Sequence, residues 1–156
     1  MELNFTISTE RILKECIAQT SLDLQAIRAR GNELSAAADA IYADWTMNED
    51  NRPEIYTPLE GIGAKLCRRL KRHILGYSHG VDVTSIQLCV TKVFNGIDAV
   101  IDSAILHFYK YSLLAWWYSY RDPSLATFYQ ESADAVLNDL EDSVLPQKSK
   151  IIPHYF

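Results

Sequence analysis

Six glycines, five prolines and three cysteines in 156 residues leave little of the chemistry that marks a loop-rich or cross-linked protein. Cys16, Cys67 and Cys89 are odd in number and widely spaced. They suit neither a disulfide framework nor metal-ligand pairs, and they read as buried free thiols of a reducing compartment. Basic charge is also short. Fifteen Lys and Arg against 20 Asp and Glu give a net charge of −5, so no global cationic footprint points to nucleic acid. Long apolar runs are missing too. The longest follows Lys110 and reaches only about half of the ~20 residues that a spanning helix needs. The opening MELNFTISTE has neither a basic start nor an apolar run, which predicts no signal peptide. The triplet Asn4-Phe5-Thr6 is then a chance match to a glycosylation site. There is no GxSxG, no phosphate-binding glycine loop and no dinucleotide fingerprint. His73, His79, His107 and His154 share no metal-ligand spacing. The expectation is a protein that is not an enzyme, with no cofactor, no metal and no membrane partner.

What is present is helix. The chain is 48% hydrophobic and 22% charged, ordinary for a globular protein, and its length suits one domain. We expect that domain over residues 1–146, with 147–156 as an extended tail. The chain is organised around Asn95 to Arg121. Asn95 can cap, Asp98 sits in the positive first turn, and Ile97, Val100, Ile101, Ala104, Ile105 and Phe108 form one stripe. Leu113, Leu114, Trp116, Trp117 and Tyr118 then leave almost no polar face, as in a pillar packed on most sides.

Before the pillar, residues 1–7 read as an extended lead-in. A helix capped by Ser8 or Thr9 runs to about Arg30, with a possible break at Thr20 to Asp23. Leu34 to Trp45 is alanine-rich and reads as helix, and Thr46 to Tyr56 as loop. Thr57-Pro58-Leu59-Glu60 has the form of a capping box with proline at the first helical position, predicting a helix from 58 to about 75. Ile86, Leu88, Val90 and Phe94 alternate with polar residues, which predicts a strand at about 83–94. A lone strand is not stable, so it must pair with residues 2–7 or with another subunit. After the pillar, Asp122 and Pro123 open a last helix that ends at Pro146, and the short turn predicts an antiparallel helical hairpin. The fold class is therefore mainly α: a bundle of about four to five helices, a C-terminal hairpin and one short strand.

Three features suggest contact surfaces. Lys65, Arg68, Arg69 and Arg72 recur at i, i+3, i+4 and i+7, and Lys71 and His73 extend them to about six potential cations. That pattern suits a solvated face or a contact to phosphate or an acidic partner. Residues 122–142 carry six acidic residues and no basic one, a complement that could meet the cations within one chain or across a subunit interface. Among the pillar's aromatic residues, Tyr118 and Tyr120 are the interface candidates, the rest being core. The tail residues Ile151, Ile152, Tyr155 and Phe156 have no helix to bury them and suit docking on a neighbour or on the chain's own body.

The opening ISTERILKECIAQTSL helix, the aromatic LLAWWYSYRDPSLATFYQESADAVLNDL stretch and the tail KSKIIPHYF resemble the small head–tail connector, adaptor or neck proteins of tailed phages and prophages. Ala126, Tyr129, Ala133 and Leu137 match an A-x-x-Y-x-x-x-A-x-x-x-L helix that recurs in that group. The resemblance covers residues 8–30 and 95–156. It implies a non-enzymatic virion protein, in the virion or in the host cytoplasm before assembly. Such a protein is a homo-oligomer that meets portal or tail components, with non-specific DNA contact possible. The alternative from the residues alone is a nucleic-acid-binding or regulatory module using the basic face of helix 58–75.

Overall fold

The computed structural model describes residues 1–30, 42, 44–90 and 96–144. They are mainly helical, with a small antiparallel sheet. In order come β1 (Glu2–Ser8), α1 (Thr9–Arg30), a single 3-10 turn (Glu49–Asn51), α2 (Tyr56–Arg69), β2 (Ile74–His79), β3 (Val83–Cys89), α3 (Ile97–Tyr118) and α4 (Pro123–Val144).

The sheet order is β1-β3-β2, so the strand at 83–89 finds both partners in its own chain. Phe5 and Tyr77 flank Ile86 across the sheet. Phe5, Ile7, Thr84, Ile86 and Leu88 face the helices and are buried, while Asn4, Thr6, Ser85 and Ser78 face out. The period of two places one apolar row against the core. The expected single strand is therefore corrected to three. The lead-in at 1–7 is strand from Glu2, and the expected helix 58–75 ends at Arg69, its last two positions already belonging to a strand. The chain leaves α2 at Leu70, which is wholly buried, and turns through Lys71 to His73 before Ile74 joins β3. The spacing of Leu66, Leu70 and Ile74 imitates a helix. The alternation of Ile74, Tyr77 and His79 around a bulge at Gly76 satisfies β3's second edge instead. Gly80 N–H donates to the Val83 carbonyl (2.9 Å) and closes that hairpin.

Helix starts also differ in detail. α1 is continuous, because the Thr20 and Ser21 hydroxyls both donate back to the Ile17 carbonyl (3.1 and 3.0 Å) without interrupting it. α2 begins at Tyr56, before the expected Thr57 cap, and Ile55 occupies the cap position with no side-chain bond. Ile55 and Leu59 are both buried, so core docking and not a capping box sets this start. Pro58 stays harmless because a first-turn N–H has no intrahelical partner. Gly96 occupies the cap position of α3 at φ 83, a left-handed conformation that suits glycine, and the expected cap Asn95 lies outside the described residues. Asp122 caps α4 as expected, its Oδ1 accepting from Ser124 and Leu125 N–H (3.1 and 3.2 Å).

α3 is the pillar. α4 packs along it, and α1, α2 and β1 contact its other sides. Ile97, Ile101, Ile105, Phe108, Tyr109, Leu113, Leu114, Trp117 and Tyr118 are buried, whereas Val100 and Trp116 turn outward. On α4 the core face is Tyr129, Ala133, Leu137, Leu140 and Val144, and Phe128 lies outside it at 58% exposed. No helix among the described residues is long and apolar enough to cross a membrane. The helix expected at 34–45 falls mostly outside the described residues, as does the tail with Ile151, Ile152, Tyr155 and Phe156.

Candidate functional site

The basic residues divide into two groups. Lys65 and Arg69, one turn apart on α2, reach the acidic helix α4 of the same chain. Lys65 Nζ lies 2.9 Å from Asp134, and Arg69 pairs with Glu141 and donates to the Asn138 side-chain oxygen. The complementary charged faces thus meet within one chain. Exposed pairs of this kind contribute about 0–1 kcal/mol each and fix how two helices sit more than they stabilise the fold. Arg68, Lys71 and Arg72 have no ion-pair partner among the described residues and are exposed. Arg72 is corrected from the helical face to the turn beyond it, because α2 ends at Arg69. With Arg69, His73 and Glu141 these three line a cavity of about 490 Å³ between the end of α2 and α4. His73 Nδ1 lies 3.3 Å from the Cys89 carbonyl, leaving Nε2 as its other ring nitrogen.

The two tyrosines nominated as contact residues separate. Tyr120 lies past the end of α3 and is 95% exposed. Tyr118 is buried and is corrected to a core role. Its hydroxyl donates to Asp23 Oδ2 (3.0 Å), and Tyr129 donates to the same oxygen (2.6 Å). Gln19 Nε2 donates to Asp23 Oδ1 (3.0 Å), so a carboxylate on α1 ties α3 and α4 together. Burial, reinforced by the adjacent Asp23 carboxylate, pushes both phenols well above the ordinary tyrosine range. The rings of Tyr118 and Tyr129 stack at 5.8 Å.

Sequence reasoning missed Asp23 because nothing in one helix reveals that two later helices deliver phenols to it. It also missed the loop anchor. Trp117 Nε1–H donates to the Trp45 carbonyl (2.7 Å), and the Arg121 guanidinium lies 3.6 Å from the centre of the Trp117 ring. The Met47 N–H donates to Thr20 Oγ1 (3.0 Å), a contact that accounts for a fully buried threonine.

Outside the core, Trp116 (37% exposed), Phe128 (58%) and Tyr120 are exposed aromatic residues near the α3–α4 turn, and Trp116 but not Phe128 lines the groove between the two helices. Ser112, Ala115, Ser119, Ala126 and Thr127 help line that groove of about 460 Å³. A larger cavity of about 680 Å³ lies between Thr9, Arg52, Tyr56 and Val81, with Arg52 held by Asp82 (2.8 Å). His107 is exposed, 3.5 Å from Ser103 Oγ, and stacks on Tyr111. Asp102 pairs with Arg11 at 3.5 Å. Among the described residues no group of three His, Cys, Asp or Glu is placed to hold a metal ion. No protein-family model, curated protein or solved structure matches this chain.

Proposed function

We propose that this protein is a non-enzymatic adaptor that assembles with copies of itself and docks on a larger structure, as in the head–tail connectors of tailed phages that it resembles. The observation that carries this reading is the exposure of three aromatic residues near the α3–α4 turn. Trp116, Tyr120 and Phe128 together present aromatic surface to water on both sides of the turn. Residues of this type concentrate at the centres of protein interfaces. In this reading the surface is the subunit contact within an α3–α4 antiparallel hairpin, and Ile151, Ile152, Tyr155 and Phe156 are the docking tail. Among the polar groups of the interior, Asp23 is taken up in structural bonds to Gln19, Tyr118 and Tyr129. Of the motif Ala126, Tyr129, Ala133 and Leu137 that carries the resemblance, Ala126 is half-buried and the other three are core on α4, so the motif names no partner.

The test is truncation of Lys148 to Phe156 together with Trp116→Ala and Phe128→Ala. The truncated chain should fold and lose docking on a portal or tail component, and the aromatic variants should lose self-association. Normal docking by the truncated chain would remove the tail's role.

A further inference from the structure

We infer that the cavity at the end of α2 is a binding site for phosphate oxyanions, carried by a nucleic-acid backbone or by a free oligophosphate. This goes beyond the adaptor reading and does not depend on it. Five of the chain's 15 lysines and arginines fall within residues 65–72, in a protein with a net charge of −5. Two ordinary roles account for part of that cluster. The carbonyl end of a helix favours cations in its last turn, which explains Arg68 and Arg69. Ion pairing to α4 occupies Lys65 and Arg69. Neither role reaches Lys71 and Arg72, which lie past the helix and, with Arg68, have no ion-pair partner among the described residues. Like charges this close repel, so their crowding works against the fold until an anion arrives.

The cavity's chemistry narrows the anion. Among the described residues it is lined by Arg68, Arg69, Lys71, Arg72, His73 and Glu141, with no Phe, Tyr, Trp or aliphatic side chain. Its chemistry is dominated by cationic hydrogen-bond donors, which suit oxyanions more than an apolar ligand. Its volume of about 490 Å³ falls inside the usual range of about 300–1,000 Å³ for small-ligand sites. Guanidinium forks match phosphate oxygens two at a time, and three of the six lining residues are arginines. Recognition is thus by charge and oxygen geometry and is indifferent to sequence. Among the described lining residues Glu141 is the one carboxylate. It holds Arg69, so an arriving phosphate must share or displace it.

The experiment titrates the full chain with tripolyphosphate and, separately, with a short labelled duplex of mixed sequence. It compares the wild type with Arg68→Glu/Arg72→Glu and with Glu141→Gln. The double charge reversal should weaken binding tenfold or more, and Glu141→Gln should tighten it by freeing Arg69. With three cations that lack an ion-pair partner among the described residues, the duplex affinity should fall about 40-fold between 50 and 200 mM salt. Binding of tripolyphosphate alone assigns the site to free oligophosphates, and binding of the duplex as well assigns it to a nucleic-acid backbone. Should the double variant misfold, Glu141→Gln still decides the matter. Failure of both probes to bind at 50 mM salt, or affinities that neither variant changes, would overturn the inference.

Discussion

Replacing Gly63 with alanine should destabilise the protein, while the same change at Gly61, on the same helix, should stabilise it. Both lie inside α2 with ordinary backbone angles, so each gains roughly 1 kcal/mol of helix propensity from an added methyl. At Gly61 a Cβ would meet nothing within 4 Å, and the gain is kept. At Gly63 the Cβ would sit 1.9 Å from the Tyr77 hydroxyl and 2.8 Å from that of Tyr109. Both hydroxyls are buried without a hydrogen-bond partner, and Tyr109 is wholly enclosed on α3, so only the Tyr77 ring has room to retreat. Overpacking of this kind costs about 1–3 kcal/mol, and a contact this short belongs at the upper end. The two variants should therefore differ by about 2–3 kcal/mol, or roughly 5–10 °C in melting temperature for a chain of this size. Thermal and urea unfolding followed by circular dichroism measure both. Equal stabilisation by the two alanines would refute the notch over Gly63 and with it the packing of α2 on α3 and β2.

Asp23→Ala should cost at least about 3 kcal/mol in urea unfolding, because it strands two buried phenols that now donate to a carboxylate; a loss under 1 kcal/mol would show that the network is not formed. Tyr109, Tyr118 and Tyr129 have pKa values raised by burial, so in the folded state they stay protonated above pH 10 while the unfolded chain ionises. Their stabilisation is complete below pH 10 and is lost as pH rises beyond it, by up to about 1.4 kcal/mol per unit for each tyrosine. Melting temperatures from pH 8 to 11 should show that fall, and Tyr118→Phe/Tyr129→Phe should flatten it. Cys16 is buried, and its thiol is pushed up to about 12 by burial, so a thiol reagent at pH 8 should leave it unmodified until the chain unfolds. Peptide mapping of the labelled native protein checks this, and rapid labelling of Cys16 would contradict its placement.

The helices were legible because their signals are local. Ile97, Ile101, Ile105 and Phe108 repeat at the helical period, and Asp122-Pro123 announces α4 within two residues. β2 was hidden because Leu66, Leu70 and Ile74 keep a spacing of four across the point where the chain leaves the helix, and only pairing with β3 overrules it. The same boundary moved Arg72 off the basic face and into the wall of a cavity. Tyr118 looked like a surface residue near a helix end. Its burial depends on Asp23, 95 residues earlier, which no periodicity can reveal. The complementary charges of α2 and α4 were visible in composition, but that Asp134 and Glu141 meet Lys65 and Arg69 within one chain is a fact of packing.

The adaptor reading stands or falls on self-association. The absolute mass of the full chain in solution, measured by light scattering after size exclusion over a range of concentrations, tests it most directly. A defined oligomer that Trp116→Ala/Phe128→Ala reduces to monomer is the predicted result. A monomer at every concentration, or an oligomer untouched by that pair of changes, would contradict it.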